Sequence, residues 1–455
     1  AVMAGFSQGG GVGLSLANWM IEGDPGFDVF AMDIARYGDF ATMAYTNAKV
    51  QENYSRRFSI RFPNEELPAA RPLKTSPLYG TFKAMGAQFT ASHGLEVPLW
   101  FAPDGVEERF SWRRSTDFDH VGAEARAVRD GVGLIETTGF AKYTVRGSDA
   151  EAWLDHLLAC RIPKPGRMLL APMLKEDGKL IGDFTLANLG DRFFIAGSGA
   201  AEDYHMRWFE QHATGDVQLE AHGPGLCGLS IAGPKARAVL AAVTKEDVGP
   251  EALRFMDIRE MVLGMAPCVV GRVSFTGDLG YEIWMAPEYQ LHVFEALMQA
   301  GAEHGIRPFG LRALNALRLE KNFGGWAREY RPIYTPWEAG LGRFIALSKD
   351  ADFIGKAAAT EAKGNGERRL RTFVVATDEA DVIGDEPIWH NGEVRGWVTS
   401  GGFAHGSGVS VAMGYVPTEI ANEADGWDIE ILGARKPARL QPQPLFDANG
   451  AAMRA

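Results

Sequence analysis

The spacing of hydrophobic positions changes along this chain, and each change predicts a different kind of element. Near the start, Gly9-Gly10-Gly11-Val12-Gly13 gives way to an amphipathic segment reaching Ile21, which predicts a glycine loop followed by a helix. A second helix is expected near Phe40–Tyr54. Pro63, Pro68, Pro72, Pro77 and Pro98 then prevent long regular elements and mark an ordered connector, rich in Arg and aromatic residues and so packed against a domain. From about Phe110 short helical and alternating patterns take turns. Ser148-x-x-Glu151 has the form of a capping box, and Trp153, Leu154, Leu157 and Leu158 share one helical face behind it. Met173–Ala187 and Arg192–Gly197 read as strands joined through Gly190 and Asp191. Leu291, Phe294, Leu297 and Met298 mark a helix closing near Gly305, and another is expected over Leu311–Lys321. Beyond Lys356 the text turns β-rich: Arg371–Thr377, Glu393–Thr399 and Trp427–Leu432 read as strands, with Trp427, Ile429 and Ile431 alternating against Asp428 and Glu430. The pattern predicts an α+β body followed by a small barrel or sandwich.

Composition narrows the class. A length of 455 residues suggests two or three domains at ~150 residues each. Hydrophobic residues make up 46% and charged residues 23%, so the chain is neither disordered nor fibrous. A net charge of −12 argues against a nucleic-acid or anionic-membrane partner. No apolar run approaches the ~18 residues of a membrane helix, and a soluble, cytoplasmic enzyme is the expectation. Cys160, Cys227 and Cys268 are too widely spaced for a zinc motif or a disulfide framework, and the ten histidines show no metal-binding spacing. No metal site is expected. His205 and His405 read as surface or capping residues, Cys227 and Cys268 as core.

Two places carry candidate chemistry. In Leu180-Ile181-Gly182-Asp183-Phe184-Thr185-Leu186, alternation sets Leu180, Phe184 and Leu186 on one face and Asp183 on the other, with Ile181 and Thr185. Carboxylates are depleted in mid-strand, so Asp183 lies either on a solvated face or where it accepts a hydrogen bond or proton from a bound amine. The second place is Ser274–Trp284. Gly277 and Gly280 permit a bent loop, after which Glu282 re-enters an apolar strand, where a carboxylate can accept two N–H donors from a flat heterocycle. The bland reading is a hairpin with a rim glutamate.

The order of the short motifs is more specific than any one of them. Glu124-Ala-Arg-Ala-Val-Arg-Asp-Gly-Val-Gly-Leu, Gly182-Asp183-Phe184-Thr185, Ala232-Gly233-Pro234-Lys235, Thr276–Glu282, Thr335-Pro336-Trp337-Glu338-Ala339-Gly340-Leu341, Phe353-Ile354-Gly355-Lys356 and Ala412-Met413-Gly414-Tyr415-Val416-Pro417 together resemble the glycine-cleavage T-protein (aminomethyltransferase) fold. Upstream, Trp19-Met20-Ile21-Glu22-Gly23, Asp33-Ile34-Ala35-Arg36-Tyr37 and Arg71–Tyr79 look like the dimethylglycine and sarcosine dehydrogenase flavoproteins. Leu314-Asn315 stand where the free T-protein usually has an Arg-Asp pair, which leans the same way.

The resemblance implies residues 1–45 as the tail of an FAD-binding oxidoreductase domain and 46–104 as a connector. Residues 105–350 would be the tetrahydrofolate-binding domain and 351–455 a C-terminal β-barrel. It implies Asp183 near the reacting nitrogens of tetrahydrofolate, with Phe184 and Thr185 lining the site. Glu282 would hold the pterin, beside Phe275, Tyr281, Ile283 and Trp284. Gly9, Gly10 and Gly11 would lie near the flavin. Phe275 stands where relatives often carry tyrosine, and Asp278 replaces a frequent glutamate. The implied activity oxidises a small N-methylated amine at a flavin and passes the carbon to tetrahydrofolate, which avoids release as formaldehyde. FAD would bind only with an upstream flavin half or a partner chain, and the electron acceptor is left open. The alternatives are a stand-alone, non-oxidative folate-dependent methyltransferase or demethylase, and a folate-binding or assembly subunit without turnover.

Overall fold

The computed structural model describes residues 5–455, so Ala1–Ala4 lie outside the described residues. The chain enters as a helix, α1 (Gly5–Glu22), not as a glycine loop. Each glycine costs ~1 kcal/mol against alanine in a helix, but Leu14, Leu16, Ala17 and Met20 favour the helical state and offset part of that cost. Short 3-10 turns at Phe30–Met32 and Ile34–Arg36 follow, then α2 (Met43–Ser55), capped by the Thr42 hydroxyl. The connector ends in α3 (Tyr79–Ala84) and an antiparallel hairpin of β1 (Ala87–Ser92) and β2 (Leu95–Phe101).

The next stretch runs α4 (Phe118–Asp130), β3 (Gly133–Glu136), β4 (Ala141–Arg146), α5 (Ala150–Leu157), β5 (Arg167–Leu174), β6 (Leu180–Asn188), β7 (Phe193–Gly197), α6 (Glu202–His212), β8 (Gln218–Ala221), β9 (Cys227–Ala232) and α7 (Ala236–Ala242). It continues through β10 (Ile258–Leu263), β11 (Ala266–Gly271), β12 (Gly280–Met285), α8 (Pro287–Gly301), β13 (Arg307–Pro308) and α9 (Leu311–Glu320). Two sheets result. One has the order β10-β11-β12-β9-β3-β13, the other β5-β6-β7-β4-β8. The expected strand Met173–Ala187 is therefore two, β5 and β6, because Asp177-Gly178 folds the chain back on itself. Gly178 takes φ +77°, a conformation that L side chains rarely adopt. The expected capping box is also absent: Asp149 is the N-cap of α5, and Ser148 instead donates its hydroxyl to Asp216 at 3.1 Å.

After α10 (Lys356–Ala362), strands β14 (Arg368–Val375), β15 (Pro387–His390), β16 (Glu393–Ala404), β17 (Val409–Pro417), β18 (Trp427–Ile431) and β19 (Ala434–Leu440) close into a six-stranded barrel. Its core takes Phe373, Ile388, Val398, Val416, Trp427 and Ile429 from alternating positions.

The two sheets meet face to face. Met168, Ala187 and Phe194 from one pack against Ile258 and Trp284 from the other. The outer face of β12 holds Tyr281 and Ile283 in a separate core with α7 and α8. The outer face of β6 packs Leu180, Phe184 and Leu186 under α5 and α6. Alternation therefore aims Asp183, Thr185 and Glu282 at the space between the sheets.

Candidate active site

Asp183 occupies the middle of β6, opposite Pro172 of β5. Two glycines permit its setting. A Cβ on Gly182 would lie 2.5 Å from the Phe184 ring, and one on Gly197 would lie 2.7 Å from it. Glycine at both positions lets Phe184 lie flat across the outer face, so β6 stays straight and Asp183 points inward. Asp183 keeps a small accessible patch although protein surrounds it, and its Oδ1 has no hydrogen-bond partner. Burial raises its pKa to about 8, helped by the negative charge of Glu329.

Glu282 comes from the opposite sheet, paired with Gly271 of β11 and Ser230 of β9. Gly271 leaves the neighbouring position bare: a Cβ there would meet the Met168 sulfur at 2.9 Å. Burial alone raises the Glu282 pKa to about 7, with no charged neighbour to offset it. Two carboxylates without a cation thus face one another's sheet. The unpaired buried Asp183 oxygen is costly unless a ligand brings a donor. A planar heterocycle with ring and exocyclic N–H groups brings such donors, and the residues present fit tetrahydrofolate.

The remaining expected site residues divide. Thr185 shares the Asp183 face, and Trp284 shares the Glu282 face, where it meets Phe194 at 4.9 Å between centroids. Phe275 sits at the loop rim, 37% exposed and stacked on Phe323. Three side chains point elsewhere. Phe184 is buried against His205 and Phe209, while Tyr281 and Ile283 lie in the outer core of β12, because a period of two sends neighbours of an inward residue outward. They support the site from behind and do not line it. Asp278 is buried in an ion-pair cluster with Arg129 and Glu320, which orders the Ser274–Gly280 loop.

Gly9, Gly10 and Gly11 form no cradle. They lie exposed on α1, and a Cβ on any of them would meet nothing within 4 Å. The described residues therefore do not fit FAD at this place. His205 is no surface residue either. It is fully buried, its Nε2–H donates to the Ile181 carbonyl at 3.0 Å, and burial lowers its pKa to about 3. An apolar stripe on α6 could have signalled this, since Phe209 one turn on is buried too. His405 is half-buried against Phe118 and Phe403. The three cysteines are buried with thiol pKa values raised to about 11 or 12, which leaves none as a nucleophile. Among the described residues no group of His, Cys, Asp and Glu is placed to hold a metal ion, and no helix is long and apolar enough to cross a membrane.

A strap from the N-terminal segment packs on α6, the β5–β6 turn and the segment after α9. Asp24 pairs with Lys175 at 2.5 Å, Asp28 with Arg331 at 2.7 Å, and Asp33 with Arg207 through two bonds of 3.0 and 2.6 Å. Phe30 packs edge-on against Tyr204 and Trp326 at 5.1 and 5.9 Å.

Facing sheets with an inward acid on each, followed by a closed barrel, define a T-protein-type fold. The chain belongs to the glycine-cleavage T-protein family: the GCVT N-terminal domain matches residues 78–349 and the T-protein C-terminal barrel domain residues 368–447. The central domain of FAD-dependent oxidoreductases matches residues 22–76. The crystal structure of the glycine cleavage system aminomethyltransferase T from Bartonella henselae superposes with a TM-score of 0.72 at 25% identity, over 83% of this chain and 99% of that one. Mitochondrial dimethylglycine dehydrogenase from Mus musculus is 38% identical over 98% of this chain and 52% of its own length. Mitochondrial sarcosine dehydrogenase from Homo sapiens is 28% identical over 98% of this chain and 54% of its own length. The chain thus spans about half the length of the curated relatives it matches.

Proposed function

We propose that this chain is the folate-dependent half of an N-methyl amine dehydrogenase of the dimethylglycine and sarcosine type, yielding 5,10-methylenetetrahydrofolate. The observation that carries this reading is Asp183: an inward carboxyl with one oxygen unpartnered and a pKa of about 8. Such a group holds a proton at neutral pH and can also take one up, which suits it to acid–base work. Bound tetrahydrofolate supplies a nucleophilic ring nitrogen for the incoming carbon. Asp183 orients that nitrogen and relays its proton. Glu282 accepts N–H donors of the pterin edge from the opposite sheet. Phe194, Met168 and Trp284 exclude water beside them, which protects an electrophilic carbon from hydrolysis. The flavin half is a further domain or a partner chain, and the strap of Asp24, Asp28, Phe30 and Asp33 ties the oxidoreductase segment to the acceptor site.

The test is Asp183→Asn in the flavin-containing assembly. Folate-trapped product falls by on the order of 10²-fold or more while tetrahydrofolate still binds. Unchanged product in the Asp183→Asn variant overturns the reading and favours a binding or assembly role.

A further inference from the structure

The strand beside Glu282 carries a polar group that the proposed chemistry does not use. Alternation along β9 sends Leu229 and Ile231 into the outer core with α7 and α8, and aims Ser230 between them at the space between the sheets. Ser230 is the register partner of Glu282 on one side and of Ile135 on the other. Opposed residues in an antiparallel pair hold their Cβ atoms ~5 Å apart, so Ser230 and Glu282 stand side by side on one face.

The other neighbours of Glu282 are closed. On its far flank the Met168 side chain takes the room that Gly271 leaves, since a Cβ there would meet Met168 Cε at 2.9 Å. Two residues along the same face of β9, a Cβ on Gly228 would overlap Thr137 Oγ1. Other buried hydroxyls of this region are committed: Ser274 donates to the Asp278 carbonyl at 2.7 Å, and Thr138 to Glu136 at 2.9 Å. Ser230 differs. It is 6% exposed, and among the described residues its hydroxyl has no hydrogen-bond partner. A buried hydroxyl in that state is unfavourable unless a ligand supplies the partner. Space for one remains here, because Glu282 is the one half-buried residue of β12, and Asp183 and Thr185 are those of β6.

We infer that Ser230 is a ligand contact that sets specificity at this site: its hydroxyl donates to the ring carbonyl of the pterin, next to the N–H groups that Glu282 accepts. This rests on the reading of the gap as a tetrahydrofolate site. An ionised carboxylate only accepts, whereas a hydroxyl can donate. Side by side, the two read a ring edge on which N–H donors and a carbonyl acceptor are neighbours. The 2-amino-4-oxo edge of a pterin has that order. A ring with N–H groups and no carbonyl satisfies Glu282 and leaves Ser230 unpaired, and a site built to bond a group rejects ligands that lack it.

The test is isothermal titration of the whole chain with 5-formyltetrahydrofolate, joined to isotope-edited infrared spectra of the ligand labelled with carbon-13 at the ring carbonyl. Ser230→Ala binds roughly 3- to 10-fold more weakly than wild type. Its bound carbonyl band lies at higher wavenumber, because the hydrogen bond that lengthens the C=O bond is gone. Ligand-free Ser230→Ala melts at the wild-type temperature or above, since no bond is lost in the free protein. Ser230→Cys keeps the side-chain size with a weaker donor and shares the loss, which separates the donor from the space it fills. Equal affinity in wild type and Ser230→Ala, an unmoved carbonyl band, or full affinity in Ser230→Cys overturns the inference. Wild type that binds and shows the Ser230-dependent band but forms no folate-trapped product overturns the proposed function instead, and leaves the contact standing.

Discussion

Two regions of this molecule bury carboxylates and treat them in opposite ways. At the seam between the transferase body and the barrel, Glu329 receives donors from Arg318, Gly325, Thr399 and Ser400. Glu124 of α4 also has a partner on each oxygen, the backbone N–H groups of Phe101 at 2.7 Å and Gly310 at 2.8 Å. Between the facing sheets, Asp183 has an oxygen with no partner, and Glu282 has no charged neighbour. The difference separates acids that hold the fold together from acids kept available. A carboxylate with a donor on each oxygen is a rivet, because both oxygens are already held by the protein. An unsaturated one destabilises the free protein and is retained where a ligand completes it.

That contrast can be broken at either end. The largest expected effect is the Asp183→Asn loss of folate-trapped product, on the order of 10²- to 10⁴-fold, with thermal stability equal to wild type or higher. Enzyme assay and calorimetry on the same sample check both halves. Glu329→Ala comes next and acts on stability: it strands Arg318 and two barrel hydroxyls, for about 3–5 kcal/mol, measured by denaturant unfolding. Glu282→Gln is milder. It exchanges an acceptor-only group for an amide and weakens tetrahydrofolate binding by roughly tenfold, about 1.4 kcal/mol, with folding unaffected; isothermal titration reads it directly.

The smallest effect is in pH. Asp183 has a folded pKa of about 8 against 3.8 in a model peptide, so between these values the folded state holds a proton that the unfolded state has lost. The contribution of this group to the stability of the ligand-free protein therefore falls as pH rises from about 4 to about 8, by up to about 1.4 kcal/mol per pH unit, and is constant above. His205, with its folded pKa lowered to about 3, acts the other way and only below about pH 6.5: its contribution is present above that value and is lost as the pH falls. In wild type the two slopes oppose each other between about pH 4 and 6.5, so Asp183→Asn flattens the profile above pH 6.5 and leaves stability rising with pH below it. Melting temperatures across pH 5–9 distinguish the two.

Much of this was legible in local patterns. Alternation in Leu180–Leu186 placed Asp183 opposite Phe184, and alternation in Trp427–Ile431 placed Ile429 in a barrel wall. The same rule, applied to Gly280–Met285, separates Glu282 from Tyr281 and Ile283, which the resemblance had grouped with it around the ligand. The glycines of α1 misled because glycine permits a loop without requiring one, and the apolar residues after them outweighed the permission. Glu329 was invisible for another reason. It lies in Ala327-Arg328-Glu329-Tyr330-Arg331, a charged text that reads as a solvated loop, and its donors come from a helix before it and strands some 70 residues beyond.

By itself the sequence determined most of the elements, the strand face that Asp183 shares with Thr185, and the order of motifs that marks the family. These depend on periods of two and 3.6 residues, which are local properties of the backbone. Only the tertiary structure decided that the two acids face one space, that His205 is sealed behind β6, and that hydroxyls of a barrel strand bind Glu329. Burial, charge coupling and hydrogen-bond saturation belong to whatever packs against a residue, and here those neighbours come from distant parts of the chain.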